Sequence, residues 1–75
     1  MEPYKDQGGD SGVVAYEVGV DFIRVQFESG SVYLYTNESA GPATIAWMKM
    51  LATTGDGLSA FISRQARSKY AARER

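Results

Sequence analysis

The chain has no cysteine and no histidine among its 75 residues. The first absence excludes disulfides and thiolate metal sites and fits a reducing compartment. The second removes the commonest general base and the commonest nitrogen ligand. Without either residue the common nucleophilic dyads go too, and the serines have no base to activate them. No glycine-rich phosphate loop is present. The carboxylates follow no repeating ligand spacing. Gly55-Asp56-Gly57 looks like a piece of a calcium loop but lacks the further acidic positions, and it reads better as a helix-capping turn. These absences predict a protein that is not an enzyme, with no cofactor and no metal.

Long apolar runs are also missing. None approaches the roughly 18 residues of a membrane span, and the first dozen residues hold no apolar signal core. The expectation is a soluble cytoplasmic protein with no membrane partner. The length predicts one small domain, which buries only about 60% of its unfolded surface and holds only a few kcal/mol of stability.

The net charge of −1 conceals an asymmetry. Residues 1–57 carry three cations against eight carboxylates, a net of −5, and residues 58–75 carry five against one, a net of +4. Such segregation can draw an anionic partner to one end. It can equally let the two parts of one fold attract each other.

Residues 1–12 are polar, rich in Gly and Asp, and without periodicity. They read as a disordered tail with Tyr4 mobile in it. Val13 to Gly19 reads as a strand by its β-branched and aromatic content. In Phe22 to Glu28, Ile23, Val25 and Phe27 alternate with Arg24, Gln26 and Glu28, the period of a half-buried strand. Ser29-Gly30 turns the chain into a third strand, Ser31 to Thr36. A loop follows. Pro42 then opens a helix ended by Gly55, with Ile45, Met48 and Ala52 on its inner stripe and Trp47 and Leu51 beside them. Trp47, Met48 and Met50 read as gap-filling core rather than a ligand pocket. A second helix, capped by Asp56 or Ser59, runs from about Leu58 to Ala72. Leu58, Phe61, Ile62, Ala66 and Tyr70 share one of its sides, and Arg64, Arg67 and Arg75 another. The last residues, 73–75, read as a frayed basic terminus. The predicted fold is α+β: a three-stranded antiparallel β-meander followed by two α-helices packed on one face of the sheet, spanning 13–72.

One residue of hairpin register decides what the sheet displays. A two-residue loop at Ser29-Gly30 puts Tyr33 and Tyr35 in solvent beside Arg24 and Gln26, like a base-stacking platform. A three-residue loop with a left-handed Gly30 puts both tyrosines on the core face. The physics of the sequence leaves both open.

The stretch FIRVQFESGSVYLY, followed by a helix and then FISRQARSKY, resembles the KTSC domain. That small domain occurs at the C-terminus of some lysyl-tRNA synthetases and as stand-alone bacterial proteins. The matching positions are Val32, Tyr33 and Tyr35, then Phe61, Arg64, Arg67 and Tyr70, with Ala66 in the aliphatic place before Arg67. The chain departs from the family in having TNESAGP where Val-Pro is usual, and TTGDG where Ser-x-Gly is usual. The family tolerates charge between its two tyrosines, where this chain has Leu34. The resemblance therefore implies that Leu34 faces solvent, that Tyr33 and Tyr35 are core, and that the hairpin is bulged. It brings no established activity. Its link to a synthetase suggests contact with RNA or with protein only by analogy.

Two functional expectations follow. In one, the basic C-terminal helix binds RNA or another nucleic acid, with Arg64, Arg67, Lys69 and Arg73 on phosphates and Tyr70 stacked on a base. In the other, the sheet face away from the helices, with Phe22, Arg24, Val32 and Leu34, contacts another protein or a second copy of the chain, as an edge strand could. The bland reading makes the arginines a solvated face salt-linked to Glu17, Glu28 or Asp21.

Overall fold

The computed structural model describes residues 1–5 and 12–75. In chain order it contains β1 (Glu2–Pro3), β2 (Val13–Val18), β3 (Phe22–Phe27), β4 (Val32–Thr36), α1 (Asn37–Ala40), α2 (Pro42–Thr54), α3 (Leu58–Phe61), a wider π turn (Ile62–Ala66) and β5 (Ala72–Arg73). The strands form one antiparallel sheet in the order β1-β2-β3-β4-β5. The α+β class and the central meander agree with expectation. The sheet has five strands instead of three, and a short third helix precedes α2.

The hairpin between β3 and β4 is the bulged one. Ile23 lies opposite Tyr35 and Val25 opposite Tyr33. The Phe27 amide donates to the Ser31 carbonyl at 2.9 Å and the Gly30 amide to the Phe27 carbonyl at 2.9 Å. Gly30 sits at φ +91°, which a side chain resists and glycine does not. This register gathers Ile23, Val25 and Tyr35 on the inner face with Val13, all essentially buried. Ile45, Met48 and Ala52 of α2 close over them with Leu58, Ile62 and Ala66.

The loop expected after β4 begins with a turn of helix. Thr36 accepts the Ser39 amide at 3.0 Å, and the Ser39 hydroxyl accepts the Thr36 amide at 3.0 Å. This reciprocal cap satisfies two donors that a helix start otherwise leaves free.

The disordered-tail expectation fails for residues 1–5; residues 6–11 lie outside the described residues. Glu2 and Pro3 pair with Tyr16 and Ala15 at the edge of β2. Tyr4 is only 7% exposed and belongs to the core cluster. Its hydroxyl accepts the Leu58 amide at 3.2 Å, so the N-terminal segment caps α3. Neither Asp56 nor Ser59 does so: the N-cap is Gly57, with no side-chain bond. Lys5 packs against the corner between α2 and α3, where a Cβ on Gly55 would stand 2.6 Å from the Lys5 Cβ.

The second helix also ends sooner than its periodicity suggests. Helical backbone continues through the π turn to Ala66, and β5 then pairs with Tyr33 and Leu34 of β4. The Ala71 amide donates to the Leu34 carbonyl at 2.6 Å, the Glu74 amide to the Val32 carbonyl at 2.7 Å, and the Val32 amide to the Arg75 carbonyl at 3.1 Å. Residues 73–75 are thus an edge strand and its extension, not a frayed end. The open edge of β4 offered unpaired backbone groups, and pairing them outweighs two more turns of exposed helix.

Among the described residues no helix is long and apolar enough to cross a membrane.

Candidate functional site

The sheet face away from the helices is not the apolar patch that Phe22, Arg24, Val32 and Leu34 suggested. Val32 is 3% exposed, and the other three are half-buried. Arg24 dominates this face. Its guanidinium bonds Glu17 of β2 at 2.8 Å and Glu74, just past β5, at 2.8 Å. It also lies over the Phe22 ring, 4.8 Å from the centroid. That ring in turn fills the space where a side chain on Gly19 would stand. The hydrogen bonds to Glu74 first, and to Glu17 next, raise the Arg24 pKa above its usual value. One arginine thus ties β2, β3 and the end of the chain together across this face.

The basic residues of the C-terminal segment divide between two other surfaces. A cleft of about 360 Å³ opens at the end of the core, lined by Phe27, Tyr33, Tyr35, Ile62, Ser63, Arg67 and Tyr70. The bulged hairpin supplies the first three. The π turn brings in Ile62 and Ser63, and the turn toward β5 folds Tyr70 back over the strands. The rings meet edge to face. Centroids are 5.7 Å apart for Phe27 and Tyr33, 4.9 Å for Tyr33 and Tyr70, and 6.4 Å for Tyr35 and Tyr70. This is the arrangement that the ring quadrupole favours. Burial, with Tyr33 and Tyr70 nearby, pushes the Tyr35 phenol up to about 12. It therefore stays neutral at any physiological pH.

Two cations border these rings. Arg67 lines the cleft and has no ion pair among the described residues. Arg73, on β5, sets its guanidinium 5.8 Å from the centroid of Tyr33 and donates to the Ser31 hydroxyl at 3.1 Å. No carboxylate is among the lining residues. Among the described residues the cleft lining thus joins aromatic rings, one cation, Arg67, and the Ser63 hydroxyl, with Arg73 beside it on Tyr33. Tyr70 is 41% exposed.

Of the five residues expected at a nucleic-acid surface, Arg67 and Tyr70 line this cleft, and Arg73 borders it through the Tyr33 ring. Lys69 is exposed but does not line the cleft, and Arg64 points elsewhere. Sequence reasoning weighed Tyr33 and Tyr35 as a stacking surface and Arg64 or Arg67 as partners for their hydroxyls, but missed Phe27 and the meeting of these rings with Tyr70 and Arg73. It treated the C-terminal basic run as one straight helix, and only the strand pairing of residues 71–75 carries Tyr70 and Arg73 back to the meander.

Arg64 belongs to the outer side of the helices. There Trp47 is 54% and Met50 47% exposed, against the expectation that both fill the core; Met48 alone is fully buried. Trp47 stands between two shallow hollows. One, of about 320 Å³, runs beside Ala43, Ala46 and Met50. The other, of about 400 Å³, lies between α2 and α3 among Leu51, Gly57, Ala60, Phe61, Arg64 and Gln65.

No family model, curated protein or solved structure matches the chain.

Proposed function

We propose that the protein is a small cytoplasmic, non-catalytic binding module of the KTSC type that contacts single-stranded nucleic acid through the tyrosine cleft. One observation carries this reading: Arg67 and Tyr70 line a cleft with Tyr33, Arg73 lies against the same Tyr33 ring, and no described carboxylate lines the cleft. Bases stack on aromatic rings whatever their sequence, and cations beside the rings take the backbone phosphates. The exposed part of the Tyr70 ring offers the stacking surface, and Tyr33, between Phe27 and Tyr70, backs it. A duplex hides its base faces, so an unpaired strand suits this site better. With about two phosphates engaged, the salt slope is shallow, roughly −1.4. The net charge of −1 adds no long-range attraction, so affinity rests on contacts in the cleft.

The protein-contact reading of Phe22, Arg24, Val32 and Leu34 ranks second, because Arg24 is paired with Glu17 and Glu74 and lies over Phe22, and Val32 is buried.

The test is titration of isotope-labelled protein with oligouridylate and oligothymidylate, followed by amide NMR at low and physiological salt. The expected result is shifts confined to residues near Phe27, Tyr33, Ser63, Arg67, Tyr70 and Arg73. Tyr70→Ala should weaken binding about 5- to 100-fold, the loss expected for one stacked base. Shifts that vanish at physiological salt, or that survive unchanged in Tyr70→Ala and Arg67→Ala, would refute the reading.

A further inference from the structure

The outer face of α2 carries no charge over its whole length. Lys49 is the only ionisable residue of that helix, and its ammonium is turned aside to donate to the Val20 carbonyl at 2.9 Å. Ala43, Ala46, Trp47 and Met50, spaced three, four and seven apart, make a second apolar stripe on the side opposite Ile45, Met48 and Ala52. A helix buried on one side and apolar on the other is covered by something.

We propose that a second copy of this chain covers it, in a two-fold dimer that packs the outer faces of α2 and α3 together. A two-fold interface uses one patch twice, so the patch must be complementary to itself. This one is, in shape and in charge. It bears an exposed indole, Trp47, that forms one wall of an apolar hollow of about 400 Å³ between α2 and α3. Each indole can therefore enter the hollow of the other copy. The charges obey the same symmetry. Arg64 borders the hollow, and Asp56, exposed, immediately precedes Gly57, which borders it too. Neither has an ion-pair partner among the described residues. They flank Ala60 at equal distances along the chain, four residues on each side. A two-fold axis near Ala60 that runs the helices antiparallel sets each Arg64 against the partner's Asp56. An unrelated apolar partner would satisfy the stripe and Arg64 but would give no reason for this antisymmetry.

The interface is modest. A standard interface takes about 800 Å² from each partner, nearly a fifth of the 4488 Å² that this chain exposes. Two short helices supply less, so dissociation in the range of about 10 μM to 1 mM is expected. The surface lies apart from the tyrosine cleft, and the inference does not rest on nucleic-acid binding.

Trp47 is the only tryptophan and so reports on its own burial. The experiment is sedimentation of the full chain, without nucleic acid, from about 5 μM to about 1 mM, with tryptophan emission and acrylamide quenching at each concentration. A monomer–dimer equilibrium is expected, with emission moving to the blue and quenching falling as dimer forms. Trp47→Ser should leave a folded monomer. Asp56→Arg and Arg64→Asp should each weaken the dimer, and the double exchange should restore it. A monomer throughout, with Trp47 equally quenchable at every concentration, overturns the proposal. So does a dimer that Trp47→Ser leaves unchanged. A double exchange that restores nothing overturns the two-fold arrangement.

Discussion

Removing the ring of Tyr4 tests whether a segment that looks structureless is part of the core. The side chain is 7% exposed and touches the main cluster, and its hydroxyl holds the Leu58 amide at 3.2 Å. Truncating a buried aromatic to alanine costs about 3–5 kcal/mol, from lost burial and the cavity left behind. Losing only the hydroxyl leaves the Leu58 amide without its bond and costs about 1 kcal/mol. A domain of this length holds roughly 4–11 kcal/mol in total. Tyr4→Phe should therefore lower Tm by about 4–8 °C. Tyr4→Ala should remove a large share of the stability and, toward the lower end of the total range, leave a visible unfolded fraction at room temperature. The assay is urea unfolding followed by far-ultraviolet circular dichroism and by Trp47 fluorescence, with the denaturant slope checked for constancy. If Tyr4→Ala stays within about 0.5 kcal/mol of the parent, a typical surface effect, the ring is not in the core and the pairing of β1 is wrong. If Tyr4→Phe alone is silent, the cap on α3 is wrong.

Three further outcomes follow. Gly30 and Gly55 both sit at positive φ, +91° and +84°, but a Cβ at Gly30 meets nothing within 4 Å while one at Gly55 stands 2.6 Å from the Lys5 Cβ. Gly30→Ala should cost about 1 kcal/mol in chemical denaturation, and Gly55→Ala clearly more, with the excess disappearing in a Lys5→Gly background. The Tyr35 phenol, held near 12 instead of 10, keeps its proton in the folded protein while the unfolded chain already ionises. The unfolded state then binds fewer protons, so stability present below about pH 10 falls as pH rises toward 12. Tyr35→Phe should flatten that alkaline loss in a denaturation series. Glu74→Gln removes one of the two carboxylates on Arg24 and should speed amide exchange at Ala71 and Glu74 while leaving the core amides unchanged.

The central hairpin was legible because Ile23, Val25 and Phe27 alternate with polar residues over a full strand. Its register was not legible from the residues alone, since two- and three-residue loops both accept glycine at Gly30; only the family resemblance pointed to the bulged form that the structure has. The inner stripe of α2 was read correctly at Ile45, Met48 and Ala52. Trp47 misled because an indole carries the same hydrophobic signal whether its own fold or another molecule covers it. β1 and β5 were invisible for a different reason. Two residues have no period, and what stabilises them lies far away in sequence: β2 and Leu58 for the first, β4 for the second. The C-terminal segment, with Ala66, Ala71 and Ala72, has good intrinsic helix propensity, yet a weak local preference yields to the unpaired edge of β4. The chemistry of the cleft was half legible for the same reason. Arg67, Tyr70 and Arg73 stood out by type, and their meeting with Tyr33 depends on the strand that local signals did not show.

The cleft straddles two parts of unequal permanence. Phe27, Tyr33 and Tyr35 stand on the central hairpin, which opens only when the whole domain unfolds. Tyr70 and Arg73 stand on a segment held by a few edge hydrogen bonds and an exposed ion pair, so it opens locally at much lower free energy. Any molecule that needs both halves binds only the closed fraction, and its apparent affinity is scaled by that fraction. By the same linkage, occupancy holds the segment shut. A ligand at this site would therefore announce itself in slowed exchange at Ala71 and Glu74, whose amides point at β4 and not into the cleft.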